Sequence, residues 1–232
     1  LRTINPSPYM FFLDMGEDTA LGASPEMLVR VENGFVETRP IAGTRPRGCD
    51  EKEDQNNEKN LLTSVKERAE HIMLVDLGRN DVGRVAKPGT ITVQSLMHIE
   101  RYSHVMHMVS SVTGKLKRGK TPWQALGACF PAGTLTGAPK IKAMQLVGSL
   151  EPEARGVYGG AIVSYDFRGL LDSAIAIRSM VVKRDDDGNN QRAYVQAGAG
   201  IVYDSKPTRE WEEVRNKASA VLEAIRIAEQ AG

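Results

Sequence analysis

The stretch MLVRVENGFVETRPI, Met27 to Ile41, decides the fold class. Two runs rich in valine, β-branched and aromatic residues, 27–32 and 35–41, flank Asn33-Gly34. That dipeptide closes two-residue hairpins because both positions accept positive φ, so an antiparallel hairpin is predicted here. Runs at 160–165, 172–183 and 192–203 again alternate or stay apolar, separated by Phe167-Arg168-Gly169 and the polar tip 184–190. They predict an antiparallel meander. Helical patterns lie between. Residues 58–77 carry Leu61, Leu62, Val65, Ala69, Ile72 and Met73 at near-helical spacing. Pro122 and Pro139 open shorter helical stretches at 122–129 and 139–150. Residues 208–231 form the clearest helix, with Thr208 as its expected N-cap and Glu210, Glu212 and Glu213 in the positive first turn. The charged segment 50–59 reads as a solvated loop, and 102–117 reads as an open stretch that could pass from helix to strand. The mixture predicts an α+β fold with a largely antiparallel sheet, in one domain over residues 1–232.

Composition excludes several classes. Thirty basic residues against 29 acidic ones leave a net charge of +1, with no global attraction to nucleic acid or an anionic membrane. Two cysteines, Cys49 and Cys129, are too few for a disulfide framework, which implies a reducing, cytoplasmic setting. No apolar run reaches the length of a membrane span. A sequence that opens at Leu1 without methionine is expected to be part of a longer chain.

Four groups of residues could carry chemistry. Glu67 and Glu70 stand three apart on a predicted helix and so share a face; Glu210 and Glu213 repeat the arrangement, with Lys217 one turn beyond. Two such helices could meet over an oxygen-seeking cation such as Mg2+, or could be solvated faces laced by Glu–Lys pairs. The run Ala197-Gly198-Ala199-Gly200 follows a strand, but Ile201-Val202-Tyr203 reads as more strand, so a dinucleotide fingerprint fails its context. Its bare N–H groups could instead surround a carboxylate, or the glycines could mark a bend in a sheet. The run Gly133 to Lys140, GTLTGAPK, reads either as an anion loop or as a turn capped by Thr136 leading into a helix; it lacks the ending of a P-loop. His104 and His107 lie three apart near His98, without a third ligand at zinc spacing, so a proton-transferring or packed histidine is better supported.

These segments are not independent. NPSPYMFF from Asn5, GASPE from Gly22, RPIAGTRPRG from Arg39, EHIMLVDLGRND from Glu70, GTLTGAPK from Gly133, VQAGAG from Val195 and RNKA from Arg215 resemble, in order and spacing, the anthranilate synthase large subunits of the chorismate-utilising enzymes. The resemblance covers nearly the whole chain. It implies a two-layer α/β fold with antiparallel sheets, and an activity: Mg2+-dependent amination of chorismate by ammonia at C2, followed by pyruvate elimination to anthranilate. It also implies roles. Glu70 and Glu213 look like direct Mg2+ ligands, supported by Glu67 and Glu210. Arg178 and Tyr158 look like the holders of the enolpyruvyl carboxylate, completed by backbone N–H groups of Gly198, Ala199 and Gly200, with Lys217 balancing charge. Thr44 is placed at the ring carboxylate or metal shell. His107 matches the histidine linked to pyruvate elimination, and Glu26 is the other acid–base candidate. Ala42 stands where aminodeoxychorismate synthases carry a nucleophilic lysine, so an external nucleophile is implied. With no cysteine–histidine–glutamate amidotransferase module, ammonia would come from solution or from a glutamine amidotransferase subunit in a hetero-oligomer. Asn5, Pro6, Ser7, Pro8, Tyr9 and Met10 correspond to half of the family's tryptophan-inhibitor site. Two rivals follow from the same residues: an aminodeoxyisochorismate synthase that stops before elimination, and a non-catalytic scaffold paralogue.

Overall fold

The computed structural model describes residues 1–102, 105–184 and 191–231. The chain begins with five strands, β1 (Tyr9–Asp14), β2 (Asp18–Ser24), β3 (Met27–Glu32), β4 (Phe35–Thr38) and β5 (Ile41–Pro46). Two helices follow, α1 (Glu51–Thr63) and α2 (Val65–Val85), then strands β6 (Thr92–Arg101) and β7 (Val105–Lys115). Three more helices, α3 (Pro122–Cys129), α4 (Gly133–Thr136) and α5 (Lys140–Leu150), precede β8 (Ala161–Tyr165), β9 (Leu171–Ile175), β10 (Ser179–Arg184), β11 (Gln191–Val195) and the long α6 (Pro207–Ala231).

The strands form two sheets, ordered β1-β2-β10-β11 and β5-β7-β4-β3-β9-β8, with β6 paired to the other side of β7. Every pairing between these strands is antiparallel, in agreement with the predicted α+β class. The hairpin of β3 and β4 turns at Asn33 and Gly34, which take φ of 51° and 79°, the conformation that Asn-Gly accepts at least cost. One cluster packs Val75, Val82 and Val85 of α2 and Ala125 and Cys129 of α3 onto Val29, Val36, Val112 and Leu171 of the larger sheet. A smaller cluster sets Leu61 of α1 against Met97, Met106 and Met108 of β6 and β7.

Several expectations are corrected. Residues 50–59 are helix rather than loop: Asp50 accepts from the backbone N–H of Glu53, and Glu51, Glu53 and Asp54 favour the positive N-terminus. The helix expected over 58–77 is two helices. Ser64 takes an extended backbone that ends α1, and its side chain accepts from the N–H of Glu67 to start α2. The open stretch 102–117 resolves to strand β7, while His104 lies outside the described residues. Pro139 is the residue before α5 rather than its first, and α6 begins at Pro207, so Thr208 is inside it rather than its cap. Thr136 does not cap α5 either: its hydroxyl donates to the carbonyl of Ala132. Residues 201–203 are not strand; the β11 ladder ends at Val195.

The expected meander is divided between the sheets, and this division matters most. β9 belongs to the larger sheet and β10 to the smaller, so residues 176–178 carry the chain across. Pro25-Glu26 makes the same passage between β2 and β3. The two crossovers lie side by side, since the N–H of Ala23 donates to the carbonyl of Arg178 at 3.1 Å and that of Ile175 to Glu26 at 3.0 Å. Glu26 and Arg178 therefore share one junction, and Arg178 holds a φ of 52° there.

A buried ion pair fixes the helices behind it. Lys140 Nζ donates to Asp81 Oδ2 at 2.8 Å and to the carbonyl of Cys129 at 3.1 Å, joining α2, the end of α3 and the start of α5. Both side chains are 7% exposed. Removing one partner strands the other charge in the interior, so Lys140→Met is expected to lower unfolding free energy by about 3 kcal/mol. Urea denaturation checks this, and adding Asp81→Asn to Lys140→Met should regain part of the loss.

Candidate active site

The groups singled out in the sequence gather around the junction between the sheets. Burial is the main cause that pushes the Glu26 carboxyl up to about 7; Thr134 of α4 and Lys217 of α6 draw it partly back. Arg178 donates through Nη1 to the carbonyl of Lys217 at 3.0 Å, which ties the crossover to α6. Lys217 in turn donates to the carbonyl of Gly198 at 3.1 Å and pairs with Glu213 at 2.6 Å. Gly198 is packed so closely that a Cβ there would meet Tyr158 Oη at 2.9 Å. The stretch 196–200 thus lies against Tyr158 and Lys217 as irregular backbone, with Gly198 and Ala199 half-buried and Gly200 exposed. Tyr158 stands beneath the Arg155 guanidinium at 5.9 Å, and burial raises its phenol above the ordinary value. Arg178 is largely enclosed too, and desolvation lowers its proton affinity, opposed by Tyr158 and Glu213.

Histidine 107 comes from β7 and Thr44 from β5, directly opposite each other in the ladder. Thr44 Oγ1 lies 3.0 Å from His107 Nδ1, and the Tyr102 ring lies 5.6 Å from the imidazole. Burial holds the imidazole below its usual value; the backbone of Gly43 opposes this, and the Arg178 cation adds to it. A bulge at Gly43, φ 75°, interrupts the β5–β7 register just before Thr44. A Cβ at Gly43 would meet Leu61 at 2.7 Å and Glu67 Oε2 at 3.0 Å, so a glycine here lets α2 approach the strand.

The carboxylates are only partly brought together. Burial raises the Glu70 carboxyl; Lys66 lowers it, and both Glu67 and Glu213 raise it further, so α2 and α6 present negative charge to each other. As the side chains stand, no three His, Cys, Asp or Glu residues among the described ones are grouped closely enough to hold a metal ion. Glu70 and Glu213, the expected direct ligands, face each other across α2 and α6, while Glu67 and Glu210 stand beside them. Three of the carboxylates are paired locally: Glu67 bonds Arg45 at 3.1 Å, Glu70 faces Lys66 at 3.7 Å and Glu213 bonds Lys217. Glu210 is half-buried near the start of α6. The donor set still fits a hard dication, because the mutual repulsion of Glu70, Glu67 and Glu213 is what such an ion would relieve.

Other candidates fall elsewhere. In GTLTGAPK, Lys140 is consumed by Asp81, which leaves no lysine there for an anion. His98 bonds Glu100 at 3.0 Å. Asn5 to Met10 lead into edge strand β1: the Asn5 N–H donates to Leu1, Ser7 bonds the carbonyl of Asn5, and Tyr9 Oη donates to Asp172 at 3.4 Å. Sequence reasoning missed His71, fully buried on α2 with Nε2 2.6 Å from Ser110 Oγ, and the Asp81–Lys140 pair. An ionisable residue on the apolar stripe of a helix was the available signal for each. No helix among the described residues is long and apolar enough to cross a membrane.

Comparison with known proteins follows the same outline. The family described as chorismate binding enzyme matches residues 1–223. Anthranilate synthase component 1 of Acetivibrio thermocellus is 60% identical over 228 residues, covering 98% of this chain and 45% of that protein. The Aquifex aeolicus protein of the same name is 56% identical over 230 residues, covering 99% and 45%. The crystal structure of anthranilate synthase component I from Streptococcus pneumoniae superposes with a TM-score of 0.84 at 49% identity, over 94% of this chain and 46% of that one. A menaquinone-specific isochorismate synthase from Escherichia coli gives 0.77 at 27% identity, over 90% and 47%. The chain spans about half the length of the curated relatives it matches.

Proposed function

The chain belongs to the chorismate binding enzyme family, and we propose that it carries the catalytic site of an anthranilate synthase component I, which aminates chorismate at C2 with ammonia and then eliminates pyruvate. The observation that best supports this reading is the junction itself, where adjoining crossovers carry an acid whose burial favours its neutral form, Glu26, and a cation, Arg178, both linked to Lys217 of α6. Arg178 is anchored through one nitrogen to Lys217, and its other N–H groups, with Tyr158, suit the enolpyruvyl carboxylate. Lys217 balances the charge of Glu213 and keeps the backbone at Gly198 in place. Mg2+ held by Glu70 and Glu213, with Glu67 and Glu210 behind them, would neutralise the ring carboxylate and act as a Lewis acid.

Glu26, close to half protonated at neutral pH, can hand a proton to the departing C4 oxygen as the C4–O bond breaks and the C2–N bond forms. The new C2 ammonium sheds one proton, so the amination consumes none overall. His107 then takes the C2 proton while the C3–O bond breaks, and the enolpyruvate that leaves is protonated to pyruvate. Ala42 pairs with Met108 beside the Thr44–His107 pair and cannot act as a nucleophile, so ammonia must. A glutamine amidotransferase subunit and a cytoplasmic setting complete the proposal.

The test mixes the purified chain with chorismate, Mg2+ and an ammonium salt and follows anthranilate fluorescence and pyruvate. Both are expected to form with ammonium and neither with glutamine alone. At fixed free ammonia, turnover should fall as pH rises through about 7, because the acid form of Glu26 is present below that value and lost above it. Glutamine hydrolysis by the chain alone, or amination indifferent to pH between 6 and 9 (a range bracketing about one unit or more on each side of neutrality), would overturn the reading.

A further inference from the structure

Three buried polar atoms face a small cavity behind Glu26. Thr38 Oγ1, Asp81 Oδ1 and Thr134 Oγ1 have no partner at good hydrogen-bond geometry, and they are half of the six such side-chain atoms among the described residues. Thr134 is the least orphaned, since it lies near enough to the Glu26 carboxyl to favour its ionised form. Thr38, Asp81 and Thr134 all line one cavity of about 50 Å³ that Glu26, Arg39 and Gly78 also line. The side chains come from four elements: Thr38 ends β4, Asp81 is on α2, Thr134 on α4, and Glu26 in the crossover before β3. Thr38 and Asp81 are 7% and 5% exposed. A Cβ at Gly78 would come within 3.0 Å of Thr38 Oγ1, so the bare face of α2 leaves that hydroxyl its room.

A buried polar group without a partner costs about 1–3 kcal/mol, and three around one cavity would be an unusual concentration of that penalty. Most of the lining is apolar, Leu28, Leu74, Leu77 and Ile175 among it, so the polar atoms occupy only part of the wall. A cavity of this size has room for about one or two waters, each of which needs two to four polar partners. We propose that the cavity holds ordered water bound by Thr38, Asp81 and Thr134, and that this water relays protons to and from Glu26. Thr38 and Asp81 are then positioning residues. The inference rests on the reading of Glu26 as the acid of the amination step. Glu26 gives one proton to the leaving oxygen and the C2 ammonium releases one, so the relay returns one proton per turnover and needs no other reactant.

The charges around Glu26 are consistent with this role. Lys217 faces it from α6, Arg39 lines the cavity from the β4–β5 connection, and Asp81 carries Lys140 on its other oxygen. Burial still governs Glu26, which is half-buried, so water on its inner side would add to the solvation it has. Cys129 also lines the cavity, with burial pushing its thiol up to about 12, which keeps it neutral and outside the relay.

The test is a high-resolution crystal structure of the chain together with Thr38→Val and Thr38→Ser. Water is expected within hydrogen-bonding distance of Thr38 Oγ1 and Asp81 Oδ1. Thr38→Val should lower turnover roughly threefold to tenfold and move the basic limb of the pH profile upward, because an ionised Glu26 loses a donor; Thr38→Ser should keep the original limb. A dry cavity predicts the reverse. There Thr38→Val raises Tm, since an apolar group replaces an orphaned hydroxyl of the same shape, and rate and pH limb stay put. That result, or a cavity without water, overturns the proposal. An inactive Glu26→Gln beside a Thr38→Val of unchanged profile removes the relay and leaves the acid; a fully active Glu26→Gln removes both, whether or not water is seen.

Discussion

Glu70→Gln and Glu213→Gln are each expected to reduce anthranilate formation by roughly a hundredfold or more, equivalent to a few kcal/mol of charge stabilisation in the transition state. Both residues point from separate helices toward shared negative charge, and each substitution removes one anionic oxygen donor at nearly constant shape. Folding should be little affected. Glu70 sits in an environment that already disfavours its charge, so the amide relieves repulsion from Glu67 and Glu213. Glu213→Gln releases Lys217 from a 2.6 Å pair on a half-exposed helix face, an interaction of small worth in water. A readout independent of turnover separates metal binding from structure. Mg2+ should raise the Tm of the parent chain in a concentration-dependent way and leave both variants unmoved, since a ligand stabilises only the state that binds it. Full activity of both variants at ordinary Mg2+ would remove these carboxylates from the metal site.

Much of the local structure was legible, because it is set by residues close together in sequence. Asn33-Gly34 specified the β3–β4 hairpin through backbone freedom alone. Thr121 and Pro122 specified the start of α3: the Thr121 side chain and Gln124 close a reciprocal cap around a proline at the first turn. The break at Ser64 was also legible, as a Ser-x-x-Glu pattern within the apparent 58–77 helix, but continuous apolar spacing across 61–73 masked it. The loop assigned to 50–59 erred for a related reason. Apart from Asp54, which is buried against Arg47, its charges lie on a helix face open to solvent, where polarity carries no information against helix, and the buried Leu61 that anchors α1 lies beyond the segment.

The junction was not legible. Alternation along 172–183 shows that both strands are half-buried, but not that the chain changes sheets at 176–178. That change depends on pairing partners more than a hundred residues away, β2 and β3. The same holds for the Asp81–Lys140 pair and for the cavity behind Glu26, whose lining comes from β3, β4, β9, α2, α3 and α4. The resemblance to the anthranilate synthase large subunits named Glu26, Thr44, His107, Tyr158, Arg178, Gly198 and Lys217 as site residues, and the structure supplies the contacts among them. Where the carboxylates of Glu67, Glu70 and Glu213 turn is likewise something spacing cannot reveal. A shared helix face brings carboxylates near one another, yet Glu67, Glu70 and Glu213 each turn to a nearby lysine or arginine, on β5 or on their own helix.

His107→Met is expected to change the product rather than the binding of substrate. Amination needs a leaving hydroxyl and a proton donor, roles proposed for Glu26, whereas elimination needs removal of the C2 proton. Burial keeps His107 neutral near pH 7, the form that can accept a proton, and Thr44 Oγ1 lies 3.0 Å from Nδ1; in the tautomer where Nδ1–H donates to Thr44, Nε2 is the nitrogen that accepts. Arg178 is close enough to His107 to be felt electrostatically, so the imidazole borders the side proposed to hold the enolpyruvyl carboxylate. Methionine fills a similar volume on β7, between Met106 and Met108 in sequence, and cannot take a proton. Loss of a general base costs about 10²–10⁴-fold in the step it serves. The aminated, pyruvyl-bearing intermediate should therefore accumulate while anthranilate falls by at least about a hundredfold, and KM for chorismate should change little because uniform binding contacts remain. Mass analysis after partial turnover distinguishes this from a packing role, in which intermediate and anthranilate would decline together and Tm would drop. An equal loss of both products at unchanged Tm would move the base function away from His107, to another group facing C2.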